Sequence, residues 1–138
     1  MSDRAGRLTR PVRRKIWFPT WSVELQVVVG GDPEKIGAAF ATKEDFNLVG
    51  RAPTHETTDG FVLTCDNSRI LMWLSQLPWK DLETTSHEAV HVARAVLEAR
   101  EAFFEEVEAT LVGAVVREVI AAYRPKTKTK TMNRRTAS

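Results

Sequence analysis

The distribution of apolar and polar residues along the chain predicts short strands and helices that follow one another. The valine-rich run of residues 21–29 is typical of a buried strand, and a pair of glycines ends it. We expect a short helix directly afterwards, because Asp32 is a favourable N-cap and Pro33 suits the first helical position.

A β-hairpin is predicted in the middle of the chain. Two apolar runs, residues 61–64 and 70–74, flank the segment Asp66-Asn67-Ser68, whose residue types favour tight turns. Residues 47–60 are mostly polar and contain glycine and proline, which indicates a loop before the hairpin.

Two longer helices are predicted in the C-terminal half. The first covers about residues 86–101, with Thr85 or Ser86 as its N-cap and Glu88 at the capping-box distance from Thr85. The second covers about residues 103–123, and its apolar residues occupy more than half of its circumference, as in a buried helix. The core-facing stripe of the first helix consists of Ala89, Val92, Ala93, Val96 and Arg100.

These elements predict an α+β fold in which an antiparallel sheet or hairpin packs on two main helices. A chain of 138 residues is expected to form one domain, which the elements place at residues 16–123. Residues 1–15 hold six Lys or Arg against one Asp, and residues 124–138 hold six and no acid. We interpret both segments as flexible basic tails.

Charge and composition narrow the classes of function. The part between the tails is acidic, with 8 basic and 17 acidic residues. Nucleic-acid binding is therefore expected only through the tails, whose cations are not interleaved with aromatic residues.

No apolar run approaches the ~20 residues of a membrane span, so no membrane contact is expected. The single cysteine, Cys65, excludes an intrachain disulfide and fits a reducing compartment. The four tryptophans are interpreted as core and hinge packing.

The segment His87-Glu88-Ala89-Val90-His91 carries the candidate chemistry. Residues four apart lie on the same face of a helix, so the two imidazoles can reach one zinc ion. Glu88, beside the first histidine, can accept a proton from an attacking water. The motif H-E-x-x-H is typical of zinc metallopeptidases, but it also occurs in ordinary helices whose two histidines only face solvent. With Arg94 and Glu98, the histidines form a polar stripe that faces either a cleft or plain solvent.

A zinc site of this type needs a third protein ligand. The only other histidine, His55, lies in the predicted loop, and position 97 is Leu where one extended form of the motif has a histidine. Glutamates near the start of the second helix are better placed if the two helices pack together. These candidates are Glu105, Glu106 and Glu108, and the residues alone leave the choice among them open.

The arrangement resembles a group of small phage-encoded proteins with a zincin-like core. The resemblance covers residues 16–123 and includes a start with Trp and Pro before the first strand, and a hairpin before the H-E-x-x-H helix. Its last helix opens with the acidic pair Glu105-Glu106, followed by Ala109-Thr110-Leu111-Val112-Gly113 and Arg117-Glu118-Val119. The sequence departs from the pattern at Thr110, where an aromatic residue is expected.

The resemblance implies zinc-dependent peptide hydrolysis. His87 and His91 would bind zinc with Glu106 as the third ligand, and Glu88 would be the general base. It also implies a protein or peptide substrate, a phage or host protein as partner, and the host-cell cytoplasm, with virion association as an alternative. In zincins an edge strand beside the metal helix aligns the substrate, and we predict strand 69–74, followed by Trp79, for this role.

A non-catalytic function is the alternative. The chain would then be a phage structural or accessory protein that has a zincin-like fold and binds its partner through the basic tails. Under this hypothesis, the change Glu88→Gln leaves the biological function intact.

Overall fold

The computed structural model describes residues 8–44, 59–65, 69–100 and 105–124. The predicted turn at 66–68 and most of the predicted loop, including His55, lie outside these residues. The strands are β1 (Val12–Phe18), β2 (Val23–Val29), β3 (Gly60–Cys65) and β4 (Arg69–Leu74). The helices are α1 (Pro33–Glu44), α2 (Leu82–Ala99) and α3 (Glu105–Tyr123), and one 3-10 turn (Pro78–Lys80) precedes α2.

The predicted α+β class and the predicted hairpin are confirmed, but the sheet as a whole is mixed and not antiparallel. The four strands form one mixed sheet in the order β1-β2-β4-β3. The hairpins β1-β2 and β3-β4 are antiparallel, whereas β2 and β4 run parallel. A parallel pair needs a long crossover between its strands, and here the crossover contains α1 and β3. As a result, β1 and β3 are the edges of the sheet.

Helices cover both faces of the sheet. On one face, apolar side chains of β2 and β4, such as Val27 and Met72, pack against the buried stripes of α2 and α3. On the other face, Phe40 of α1 packs with Trp73 in a smaller cluster. None of the described helices is both long enough and apolar enough to cross a membrane.

The predicted start of the ordered domain at residue 16 is wrong, because β1 begins at Val12. The Tyr123 hydroxyl lies 2.6 Å from the Val12 carbonyl oxygen and 2.8 Å from that of Val27, which joins α3 to both strands. The Arg14 guanidinium donates to the Ala122 carbonyl at 3.1 Å. Residues 12–15 of the predicted N-terminal tail therefore belong to the sheet. The predicted C-terminal tail lies outside the described residues from position 125 onwards.

The glycine pair after β2 ends the strand for a steric reason. Gly30 and Gly31 have φ angles of 86° and 82°, a backbone conformation that residues with a Cβ rarely adopt. A Cβ at Gly30 would also lie only 2.6 Å from the Leu8 Cβ. This turn directs the chain into α1, where Asp32 accepts a hydrogen bond from the Glu34 amide at 3.0 Å, as predicted for an N-cap.

The start of α2 differs from the prediction. The helix begins at Leu82, four residues early, and the Asp81 carboxylate caps it by accepting from the Thr84 amide at 3.1 Å. Thr85, a predicted N-cap, is instead buried in the first turn. Its hydroxyl lies 3.0 Å from the Pro78 carbonyl oxygen and 2.9 Å from that of Asp81, so its hydrogen-bonding capacity is used there.

Candidate functional site

The H-E-x-x-H segment lies in the second and third turns of α2. The core-facing stripe predicted for this helix is confirmed at Ala89, Val92, Ala93 and Val96, all of which are buried. Because these residues fix the rotation of the helix, the adjoining face with His87 and His91 is exposed to solvent.

The two histidines present their Nε2 atoms to one point. His87 Nε2 and His91 Nε2 are 3.3 Å apart, and the ring planes are inclined by 76°. Two imidazole nitrogens at ~2.0–2.1 Å from a tetrahedral zinc ion are separated by about 3.3 Å. The pair therefore fits a shared metal ion. Without a metal, one ring donates its N–H to the other.

The electrostatic surroundings suit metal binding and proton transfer. Desolvation lowers the pKa of His91, and the neighbouring His87 and Arg94 lower it further. The neutral imidazole, which is the form that binds metal, is thus favoured at His91. Glu88 is only 6% exposed; burial raises the pKa of its carboxyl group, and the opposite charge of His87 lowers it. Within the described part of the chain, the Glu88 carboxylate has no hydrogen-bond partner.

An open cleft of about 600 Å³ runs along this face of α2. Its helix side is the predicted polar stripe, and its other side is the edge strand β3. The lining residues are Gly60, Phe61, Val62, Thr64, His87, Glu88, His91, Arg94, Ala95 and Glu98. The stripe thus faces a cleft, which was one of the two alternatives left open by the sequence.

The close approach of β3 to α2 requires glycine at position 60. A Cβ at Gly60 would lie 2.9 Å from Thr84 Cγ2, 3.0 Å from Glu88 Cγ and 3.1 Å from the Trp73 carbonyl oxygen. Gly60 therefore brings the start of the edge strand into contact with the carboxylate side chain of the site.

The prediction that strand 69–74 aligns a substrate as an edge strand is wrong. β4 (Arg69–Leu74) is paired with β2 on one side and β3 on the other, so its backbone hydrogen bonds are already made. β3 is the edge strand beside α2, its outer edge pairs with no other described strand, and its residues line the cleft. Trp79 is 42% exposed in the 3-10 turn, and the interpretation of it as core packing is also wrong.

The structure does not bring Glu106 to the histidine pair. Glu106 lines a separate, mainly apolar groove of about 290 Å³ with Trp21 and Thr110. Glu108 is the glutamate that reaches α2, where its Oε2 accepts from Arg94 Nε at 2.7 Å. Among the described residues, no three His, Cys, Asp or Glu side chains form a metal-binding group. Glu106 as third ligand thus stays a prediction.

Sequence reasoning missed the contribution of β3 to this site. Phe61, Val62 and Thr64 were assigned to a hairpin, but no local pattern distinguishes an edge strand from an inner one when both are apolar. The one usable signal was Gly60, a glycine at the start of an apolar run, which indicates a close backbone approach.

Comparisons of the chain with protein-family models, with curated proteins and with solved structures gave no match.

Proposed function

We propose that this chain is a zinc-dependent peptide hydrolase with a zincin-like domain. The observation that carries the proposal is the 3.3 Å separation of the His87 and His91 Nε2 atoms, next to the buried Glu88 and opposite an edge strand. A pair of histidines that merely solvates a helix face needs neither the buried carboxylate nor the strand.

His87 and His91 would hold the zinc ion, which when bound supplies a Lewis acid that polarises the scissile carbonyl and acidifies water. Glu88 accepts a proton from the attacking water and delivers it to the leaving amine. Glu88 is buried beside the histidines, where β3 closely approaches its side chain, so its carboxylate is held away from bulk solvent. The free edge of β3 would bind the substrate in an extended conformation by adding it to the sheet.

The third zinc ligand would come from the glutamates at the start of α3. The resemblance assigns Glu106, whereas the face of α3 that meets α2 carries Glu108, with Glu105 three residues earlier on the same face. We expect that replacing the true ligand weakens zinc binding by at least about 100-fold, since even residues that only support a ligand change affinity by 10- to 100-fold.

Zinc titration of Glu105→Gln, Glu106→Gln and Glu108→Gln identifies that residue. One variant should lose affinity while the other two match the wild type. Unchanged affinity in all three would exclude the first turn of α3 as the source of the third ligand.

The proposal is tested with fluorescently labelled casein as an unfolded substrate. We expect the zinc-loaded protein to release labelled peptides, the chelator-treated protein to release none, and added zinc to restore the rate. Fragment masses show whether peptide bonds were cleaved. Zinc binding without any cleavage of such substrates would favour the non-catalytic alternative.

A further inference from the structure

The face of β1 that points away from α2 and α3 carries two cations and an indole in a row. Side chains alternate along a strand, so Arg13, Lys15 and Trp17 share one face, while Val12 and Ile16 face the main core. All three are exposed: Trp17 by 59% and the Lys15 side chain by 68%. We call Arg13, Lys15 and Trp17 the outer face of β1.

Among the residues that the structure describes, Trp17 belongs to neither apolar cluster. The small cluster beneath α1 is built from β2, β3 and β4, and Trp17 is not part of it. Charged side chains on an edge strand protect against unwanted strand pairing, which accounts for Arg13 and Lys15. That protection does not account for Trp17, because an exposed indole promotes association.

We propose that the outer face of β1 binds single-stranded nucleic acid. Residues two apart on a strand are ~6.6–6.8 Å from each other, so the two cations and the indole extend over about 13 Å. An exposed aromatic ring on a sheet stacks an unpaired base, and cations along the same strand contact the phosphates. A duplex keeps its bases stacked and offers none to Trp17, so single strands are preferred.

The local charges favour a polyanion over a protein partner. Arg10, which is also exposed, adds a further positive charge just before β1. Glu24 lies opposite Trp17 in β2, and its carboxylate is 3.5 Å from the Lys15 ammonium. An ion pair this exposed contributes little, so it leaves Lys15 available. Protein interfaces have an apolar centre, and this face has one apolar side chain among cations.

Because β1 starts at Val12, some of the N-terminal cations lie in the sheet and not in a tail. Viewed as a tail, residues 1–15 contain no aromatic residue. In the structure, β1 contains three of these cations, and two of them, Arg13 and Lys15, share a face of the strand with Trp17. The inference is independent of the proposed hydrolase activity, because the outer face of β1 and the histidine cleft lie on opposite edge strands of the sheet.

The test is fluorescence anisotropy with a labelled 12-nucleotide single strand, measured on the full chain between 50 and 200 mM salt. We expect Trp17→Ala to weaken binding about 5- to 150-fold, the range for loss of one stacked base, with an unchanged salt dependence. We expect Lys15→Gln and Arg13→Gln each to reduce the slope of log K against log salt by about 0.7. The preference for single strand over duplex should disappear in Trp17→Ala.

Trp79→Ala is the matched control, because Trp79 is exposed elsewhere and also has a cation, Lys80, 5.5 Å from its ring centre. It should bind as the wild type does. Circular dichroism verifies that each variant is folded. No binding by the wild type at 50 mM salt, or equal binding by Trp17→Ala, would overturn the proposal. So would equally tight binding of a glutamate-rich peptide of the same charge and length.

Discussion

Glu88→Gln is expected to lower kcat/KM for peptide hydrolysis by about 10²- to 10⁴-fold, the usual contribution of a general base. Glutamine has nearly the shape of glutamate, so it fills the same buried space between β3 and α2, but it cannot accept the proton from water. His87 and His91 are unchanged by the substitution. The variant should therefore bind zinc as tightly as the wild type, which separates the loss of the base from the loss of the metal.

Glu98→Gln is the control for that result. Glu98 lines the same cleft but is exposed, and it lies seven residues beyond His91 on α2. The activity of the Glu98→Gln variant should stay within about twofold of the wild type, as expected for a surface change away from the reacting atoms. Rates are measured on the casein substrate, and zinc content by mass spectrometry of the native protein. A Glu88→Gln variant with more than a tenth of wild-type activity would exclude the role of base.

Trp73→Ala is expected to destabilise the fold by about 3–5 kcal/mol. Trp73 is fully buried in β4, stacks on Phe61 with ring centres 5.6 Å apart, and donates from Nε1 to the Gly30 carbonyl at 2.8 Å. Its removal leaves a large cavity between the sheet and α1 and an unpaired carbonyl at the glycine turn. Small domains have only about 5–15 kcal/mol of stability, so this one change removes much of it.

Two further variants separate the contribution of Trp73 packing from that of its hydrogen bond to Gly30. Trp73→Phe keeps most of the packing but loses the hydrogen bond to Gly30, and we expect a smaller cost of about 1–3 kcal/mol. Trp17→Ala removes the same side chain from an exposed position and should change stability by less than about 0.5 kcal/mol. Urea unfolding followed by circular dichroism gives all three values. Similar losses for Trp73→Ala and Trp17→Ala would contradict the arrangement of the core.

Much of the fold could be predicted because its signals are local. Valine-rich runs, the N-cap Asp32 and the helical spacing of Ala89, Val92 and Val96 each depend on a few neighbouring residues. β1 could not be predicted in the same way. Its charged residues were assigned to a tail. Val12 pairs with Val29 of β2, and it is also held by Tyr123, which is more than a hundred residues away.

In the candidate site, too, the features that depend on neighbouring residues could be predicted, and those that depend on distant contacts could not. His87 and His91 meet because an i, i+4 pair on any helix lies on one face, and Glu88 follows from the same geometry. The third ligand depends instead on the rotation of α3 against α2. In the structure this rotation places Glu108 beside Arg94 and Glu106 in another groove. The choice of β3 over β4 as the substrate strand depends on strand order, which no short segment specifies.

Zinc binding by the histidine pair is tested by a calorimetric titration of the metal-free protein with zinc. We expect one zinc ion per chain for the wild type and for Glu98→Gln, and at least about a 100-fold weaker affinity for His91→Ala. Failure of the wild type to bind zinc, or equal affinity in His91→Ala, would contradict zinc binding by this pair.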